Sequence, residues 1–177
     1  LTSAKEAQAY ALETAPVTEL LMPISEDRSV LRQSIIPHLL DAATYNVARR
    51  NSNVGLYEIS SVFLGVEEDG LPTEVAHFAA VITGKWVDHA WQGETKTVDF
   101  FVLKGIVEGM MDVLGFVEGL SFEQAVIEGM HPGRTANILL NEERIGLIGQ
   151  VHPTEQKKRD LKNTCVLEIN LEVILEI

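Results

Sequence analysis

Residues 136 to 151, Ala-Asn-Ile-Leu-Leu-Asn-Glu-Glu-Arg-Ile-Gly-Leu-Ile-Gly-Gln-Val, contain two apolar runs separated by four polar residues. The runs Ala136 to Leu140 and Ile145 to Val151 predict two strands, and Asn141 to Arg144 predicts the turn of an antiparallel hairpin. Gly146 and Gly149 lie inside the second run, where glycine permits close backbone approach within a sheet. A second pair of apolar, β-branched runs, Val54 to Leu64 and His77 to Thr83, predicts another hairpin across the acidic turn Glu67-Glu68-Asp69-Gly70. A last strand is predicted over Cys165 to Leu171. Strands that follow one another by hairpins, with helices inserted at intervals, give an α+β class: an antiparallel β-sheet flanked by helices.

The helices carry their own punctuation. Ser34 precedes a stripe of Ile36, Leu40, Ala43 and Val47 widened by Leu39, with Pro37 in the first turn and Asn51 as terminator. Asp99 caps a helix running to about Leu114, which Gly115 ends. Ser3-Ala4-Lys5-Glu6 has the form of a capping box and predicts a short helix to about Leu12. Val17 to Met22 is expected as an extended connector, Pro153 to Lys162 as a short helix, and Gly84 to Thr97, with Trp86 and Trp91, as an ordered loop.

The 177 residues are 46% hydrophobic and 23% charged, enough for one core without a disulfide or metal staple, and a single domain over 1–177 is expected. The net charge is −12, and the middle third carries 3 basic against 10 acidic residues. Such a balance opposes a main nucleic-acid surface. Cys165 is a lone thiol and no apolar run reaches the ~18 residues of a spanning helix, so a reducing, cytoplasmic setting is expected. The sequence opens on Leu1 with a helix signal almost at once, which predicts a fragment of a longer chain.

Few residues suggest chemistry by themselves. Neither G-x-G-x-x-G nor G-x-x-x-x-G-K-[ST] occurs. His131 and His152, each before a proline, make at most two thirds of a ligand set. Cys165 opens an apolar strand and is expected to be a small buried hydrophobe. Glu67 to Gly70 lacks the spacing of a calcium loop.

Four separated segments carry a resemblance: Met22-Pro23-Ile24-Ser25-Glu26-Asp27-Arg28-Ser29-Val30-Leu31-Arg32-Gln33-Ser34-Ile35-Ile36-Pro37; Leu56-Tyr57-Glu58-Ile59-Ser60-Ser61-Val62-Phe63; Val98-Asp99-Phe100-Phe101-Val102-Leu103-Lys104-Gly105; and His131-Pro132-Gly133-Arg134-Thr135-Ala136 with Ile145 to Pro153. In order and spacing they resemble the class II synthetase-core module of the bacterial phenylalanyl-tRNA synthetase β subunit. Met22 stands where that family's opening has Asn. The resemblance implies a class II synthetase-like fold and a non-catalytic module that supports assembly of an α₂β₂ ligase, which charges tRNA(Phe) with phenylalanine using ATP and Mg²⁺. It implies the α subunit and a second β subunit as partners, tRNA(Phe) contacted through the whole enzyme, no membrane, and no catalytic, cofactor or metal residue in this stretch. Arg32 precedes a helix instead of lying on a strand, and no Gly-and-Arg nucleotide signature is present. Under this reading Arg32, Ile36, Leu39, Leu40, Ala43, Val47 and Arg134 are expected at the subunit interface. The competing readings are a helix that seals only its own core and arginines that pair locally. At the level of function the alternative is a self-sufficient amino-acid or adenylate-binding domain of synthetase ancestry.

Overall fold

The computed structural model describes residues 1–67, 70–116 and 118–176. Its centre is a six-stranded sheet, every neighbouring pair antiparallel, in the order β1-β2-β8-β7-β6-β5. The strands are β1 (Val54–Val66), β2 (Pro72–Thr83), β5 (Leu120–Gln124), β6 (Met130–Leu140), β7 (Glu143–Val151) and β8 (Cys165–Asn170). Strand β8 comes late in sequence yet lies between β2 and β7, joining the two hairpins into one sheet.

Successive side chains on a strand face opposite ways, and the core divides accordingly. Ala80, Ile82, Ile148, Cys165, Leu167 and Ile169 belong to one apolar cluster, packed with α2 (Phe100–Leu114) and α4 (Leu171–Glu176). Val62, Ala79, Val81, Leu147 and Val166 belong to the other, packed with α1 (Ile36–Ala48) and Tyr10 of the N-terminal segment. The short α3 (Pro153–Lys158) links β7 to β8.

Turn chemistry accounts for the central hairpin. Asn141 and Glu142 have φ of 50° and 69°, the pair of positive values a two-residue type I′ connection needs, so β7 starts at Glu143 instead of Ile145. A Cβ on Gly146 would lie 2.4 Å from the Glu168 carbonyl oxygen, and one on Gly149 would lie 2.7 Å from Thr135 Oγ1. Both glycines serve the close backbone approach expected of them. Asp99 Oδ1 accepts from the Val102 N–H at 2.8 Å and Gly115 closes α2 at φ 91°, as the sequence predicts.

Several expectations are corrected. Residues 3 to 12 form successive turns, not a helix: the Ala7 carbonyl accepts from Gln33 N–H at 3.0 Å, and Tyr10 sits at φ 62°. A tertiary partner thus takes the acceptor a helix would use. Residues 84 to 97 are not a loop but a separate hairpin, β3 (Lys85–His89) with β4 (Glu94–Thr97). All four residues of β4 are exposed, so no apolar alternation announces it. Strand β5 and helix α4 add to the expected elements, and β6 begins at Met130 instead of Ala136. Helix α3 stops at Lys158 because Asp160 is left-handed at φ 54°. At the end of α1, Arg50 (φ 70°) takes the left-handed position assigned to Asn51. Of the acidic turn, Glu68 and Asp69 lie outside the described residues.

Candidate interaction surface

The seven residues expected at an interface separate into three places. Ile36, Leu39, Leu40 and Ala43 are buried in the chain's own core between α1 and the sheet, and Val47 packs half-buried against the same cluster. The physical reason is coverage: α1 lies across β1, β2 and β8, so Leu39 widens the stripe to meet this chain's own sheet. The four buried side chains therefore present no surface, and Val47 presents only part of one. Arg32 is anchored locally: its Nη2 donates to Glu58 Oε1 at 2.7 Å, its Nε to the Ser61 carbonyl at 3.3 Å, and its Nη1 lies 3.0 Å from His38 Nδ1. Arg134 lies at the far side of the sheet on β6, exposed, with Nη1 donating to Gln150 Oε1 at 2.7 Å.

The exposed apolar side chains near α1 are different ones. Strand β1 is an edge of the sheet and, among the described residues, pairs only with β2. On its face away from α1, Tyr57 is 73% exposed and Ile59 63%, and the Tyr57 ring lies 6.1 Å from that of Phe78. Tyr45, on the outer side of α1, is also exposed, with the Arg49 guanidinium 3.3 Å from its ring centroid. Two adjacent large apolar side chains beside an unpaired strand edge are what a partner surface offers.

Behind this edge lies a buried polar network that the sequence reading missed. Glu168 accepts from Ser34 Oγ at 2.6 Å and from the Ile35 N–H at 3.2 Å, and its Oε1 lies 2.7 Å from His77 Nδ1. Ser34 Oγ in turn accepts from the Ile36 N–H at 3.1 Å, although the N-cap position itself is Ile35, one residue later than expected. Glu168, His77 and Ser34 are all essentially inaccessible. A carboxylate at a helix N-terminus satisfies orphan N–H donors and complements the dipole. The serine donates to the carboxylate and not to the imidazole, so this is no serine–histidine nucleophile. Its role is to lock α1 to β2 and β8. A signal existed: Glu168 is the one charge inside the apolar run Cys165 to Leu171.

The remaining titratable groups behave as structural ones. Burial, followed by the Arg32 cation, lowers the His38 pKa and favours neutral imidazole. Burial pushes the Cys165 thiol up to about 12 and the Tyr10 hydroxyl up to about 12. His131 Nδ1 accepts from the Gly133 N–H at 3.1 Å and His152 Nδ1 from the Thr154 N–H at 3.2 Å, so Nδ1 of each ring serves a local turn. Among the described residues no three of His, Cys, Asp or Glu are grouped to hold a metal ion, and no helix is long and apolar enough to cross a membrane.

Comparison with known proteins gives a consistent set of relatives. The family model described as the phenylalanyl tRNA synthetase beta chain CLM domain matches residues 1–171. The chain is 51% identical over 175 residues to the phenylalanine–tRNA ligase beta subunit of Bacillus subtilis, covering 99% of this chain and 22% of that protein. It is 50% identical over 175 residues to the Geobacillus kaustophilus protein of the same name, again covering 99% and 22%. The chain thus spans about a fifth of the length of these curated relatives. Among solved structures, pyrrolysyl-tRNA synthetase from Desulfitobacterium hafniense superposes with a TM-score of 0.59 at 15% identity, over 90% of this chain and 52% of that one. That likeness concerns the fold, which is of the class II synthetase type.

Proposed function

The chain belongs to the phenylalanyl-tRNA synthetase β-chain family, and from that membership we propose that it is a non-catalytic core-like domain supporting assembly of a phenylalanine–tRNA ligase. In this reading it is one part of an α₂β₂ enzyme, cytoplasmic, that charges tRNA(Phe) with phenylalanine. ATP and Mg²⁺ act elsewhere in that enzyme. The observation that carries the non-catalytic half is the filled sheet: Ala80, Ile82, Ile148, Leu167 and Ile169 are buried beneath α2 and α4. An adenylation site needs fixed cations around an α-phosphate in an open groove, and the part of this face beneath α2 and α4 offers apolar side chains. Arg32 is tied to Glu58 instead. The same filling disfavours a self-sufficient adenylate-binding domain.

The assembly half rests on the β1 edge. Tyr57 and Ile59 are assigned to contact another subunit, with Arg32 and Glu58 fixing the strand from the opposite face. The buried members of the expected set, Ile36, Leu39, Leu40 and Ala43, then act indirectly by holding α1 against that strand. Ile59→Asp in the full-length β polypeptide, co-expressed with α, should abolish the heterotetramer on size exclusion. Normal assembly of that variant would overturn the assignment. For the other half, the β polypeptide without α should show no phenylalanine-dependent pyrophosphate exchange above buffer.

A further inference from the structure

Two segments quoted for their resemblance, Val98 to Gly105 and His131 to Ala136, lie far apart in the chain and meet at one cavity. It measures about 560 Å³ and sits where the start of α2 approaches β5 and β6. That volume is in the range of sites for small molecules, ~300 to 1,000 Å³. Its large apolar lining residues are Phe100, Phe101 and Phe122. Phe100 and Phe101 stand edge to face with centroids 5.6 Å apart, and Phe101 remains 73% exposed. An exposed phenylalanine braced by another ring beside a cavity presents a stacking surface without having to reorganise.

The polar part of the lining has a definite sign. Arg134 reaches the cavity as a planar cation held through one nitrogen by Gln150 at 2.7 Å, and no carboxylate among the described residues pairs with it. A second cation, Lys104 Nζ, lies 4.8 Å from the Phe122 ring centroid, though Glu108 pairs with it. Asp99 is the acid in the lining, and its Oδ1 is already engaged by the Val102 N–H of the α2 cap. An unpaired guanidinium beside three phenyl rings, in a chain of net charge −12, is the feature the assembly role does not use.

We propose that this cavity binds a small planar aromatic anion, an arene bearing a single carboxylate or sulfonate. The ring stacks on Phe101 and Phe122, and the anionic group takes the fork of Arg134, whose geometry suits a two-oxygen acceptor. A polyanion such as nucleic acid does not fit, because one free cation cannot offset the surrounding negative charge. A cationic ligand does not fit either, because Arg134 faces it.

The test is photolabelling of the intact protein, these residues with whatever sequence adjoins them, by 4-azidobenzoate, with adducts mapped by peptide mass spectrometry. Labelling should saturate and fall within residues 98 to 104 or 120 to 136. 2-Naphthoate should compete, and the neutral 2-naphthylmethanol should compete about tenfold less well. Arg134→Gln should lower labelling about tenfold while leaving the residual effect of 2-naphthylmethanol unchanged, and Phe101→Ala should weaken both competitors. Both positions are exposed, and circular dichroism checks that each variant folds; if Arg134→Gln misfolds, Phe101→Ala carries the test. Labelling that does not saturate, that maps elsewhere, or that is unchanged in the folded variants overturns the proposal.

Discussion

The two helical layers of this domain begin from similar sequence signals and end in different situations. Helix α1 turns its whole apolar stripe inward and is tied at its start to Glu168, while α2 buries Val102, Leu103, Val107 and Met111 yet leaves Phe101, Val113 and Leu114 exposed. The width of an apolar stripe therefore does not say whether it meets its own sheet or a partner. What separates the two is the polar anchoring behind them. The α1 N-terminus is fixed by a buried carboxylate from a strand, the α2 N-terminus by its own Asp99. Loss of the first should disturb two elements, and loss of the second only one.

The largest effect expected is Leu39→Asp. Leu39 is buried, so an unpaired charge there should cost several kcal/mol and lower the Tm by about 10 °C or more, seen by circular dichroism. Val113→Asp, the contrasting change on α2, should leave the Tm within about 2 °C because that side chain is exposed. Equal losses at the two positions would erase the distinction between the layers.

Next is Glu168→Gln, which places an amide NH₂ against Ser34, Ile35 N–H or His77 and leaves buried donors facing one another. About 2 to 3 kcal/mol of stability should go, measured by urea unfolding. Asp99→Ala should cost only about 1 kcal/mol, the worth of one N-cap. A larger loss at Asp99 than at Glu168 would invert the comparison.

Alkaline pH probes the layer beneath α2. Cys165 is held near pKa 12 against an ordinary 9.0, so the thiol contributes stability that is complete below pH 9 and is lost as pH rises toward 12. Tyr10, raised from 10.0 to about 12, adds the same sign above pH 10 on the α1 side. In Cys165→Ala the fall in Tm between pH 9 and 10 should be shallower than in the parent chain. The native thiol should also resist alkylation by iodoacetamide at pH 8 until the chain is unfolded.

The smallest effect sharpens the comparison from the exposed side. Gly109 sits inside α2, and a Cβ added there meets nothing within 4 Å. Gly109→Ala should therefore stabilise the domain by up to about 1 kcal/mol through helix propensity alone. A destabilisation would show that the exposed face of α2 is covered in the folded protein.

Legibility in the sequence followed the range of the interactions. The central hairpin, α1 and α2 could be read because their determinants are local: Asn141-Glu142 at the turn, Asp99 and Gly115 at the ends of α2, Ser34 and Pro37 at the start of α1. The first ten residues misled because Ala7 and Tyr10 answer to Gln33 and to the core and not to the capping box. Strands β3 and β4 stayed hidden because their residues are almost all exposed, polar in β4 and mixed in β3, and so carry no apolar period. At the candidate surface, four of the expected side chains, Ile36, Leu39, Leu40 and Ala43, lie in the chain's own core, while Tyr57 and Ile59 on the neighbouring strand are exposed. Which face of α1 met protein could not be known before β1, β2 and β8 were set beneath it.

Hydrophobic periodicity, turn residues and caps act within a few positions, so the sequence by itself determined the α+β class, the antiparallel pairing of adjacent strands and the family resemblance. The placement of β8 between β2 and β7, the meeting of Ser34 with Glu168 across 134 positions and of His77 with Glu168 across 91, and the exposure of Tyr57 and Ile59 were decided only in three dimensions. Those contacts join residues with no local signal in common. They form because burying a carboxylate is tolerable only where donors from separate elements converge on it, and that convergence is a property of the assembled sheet.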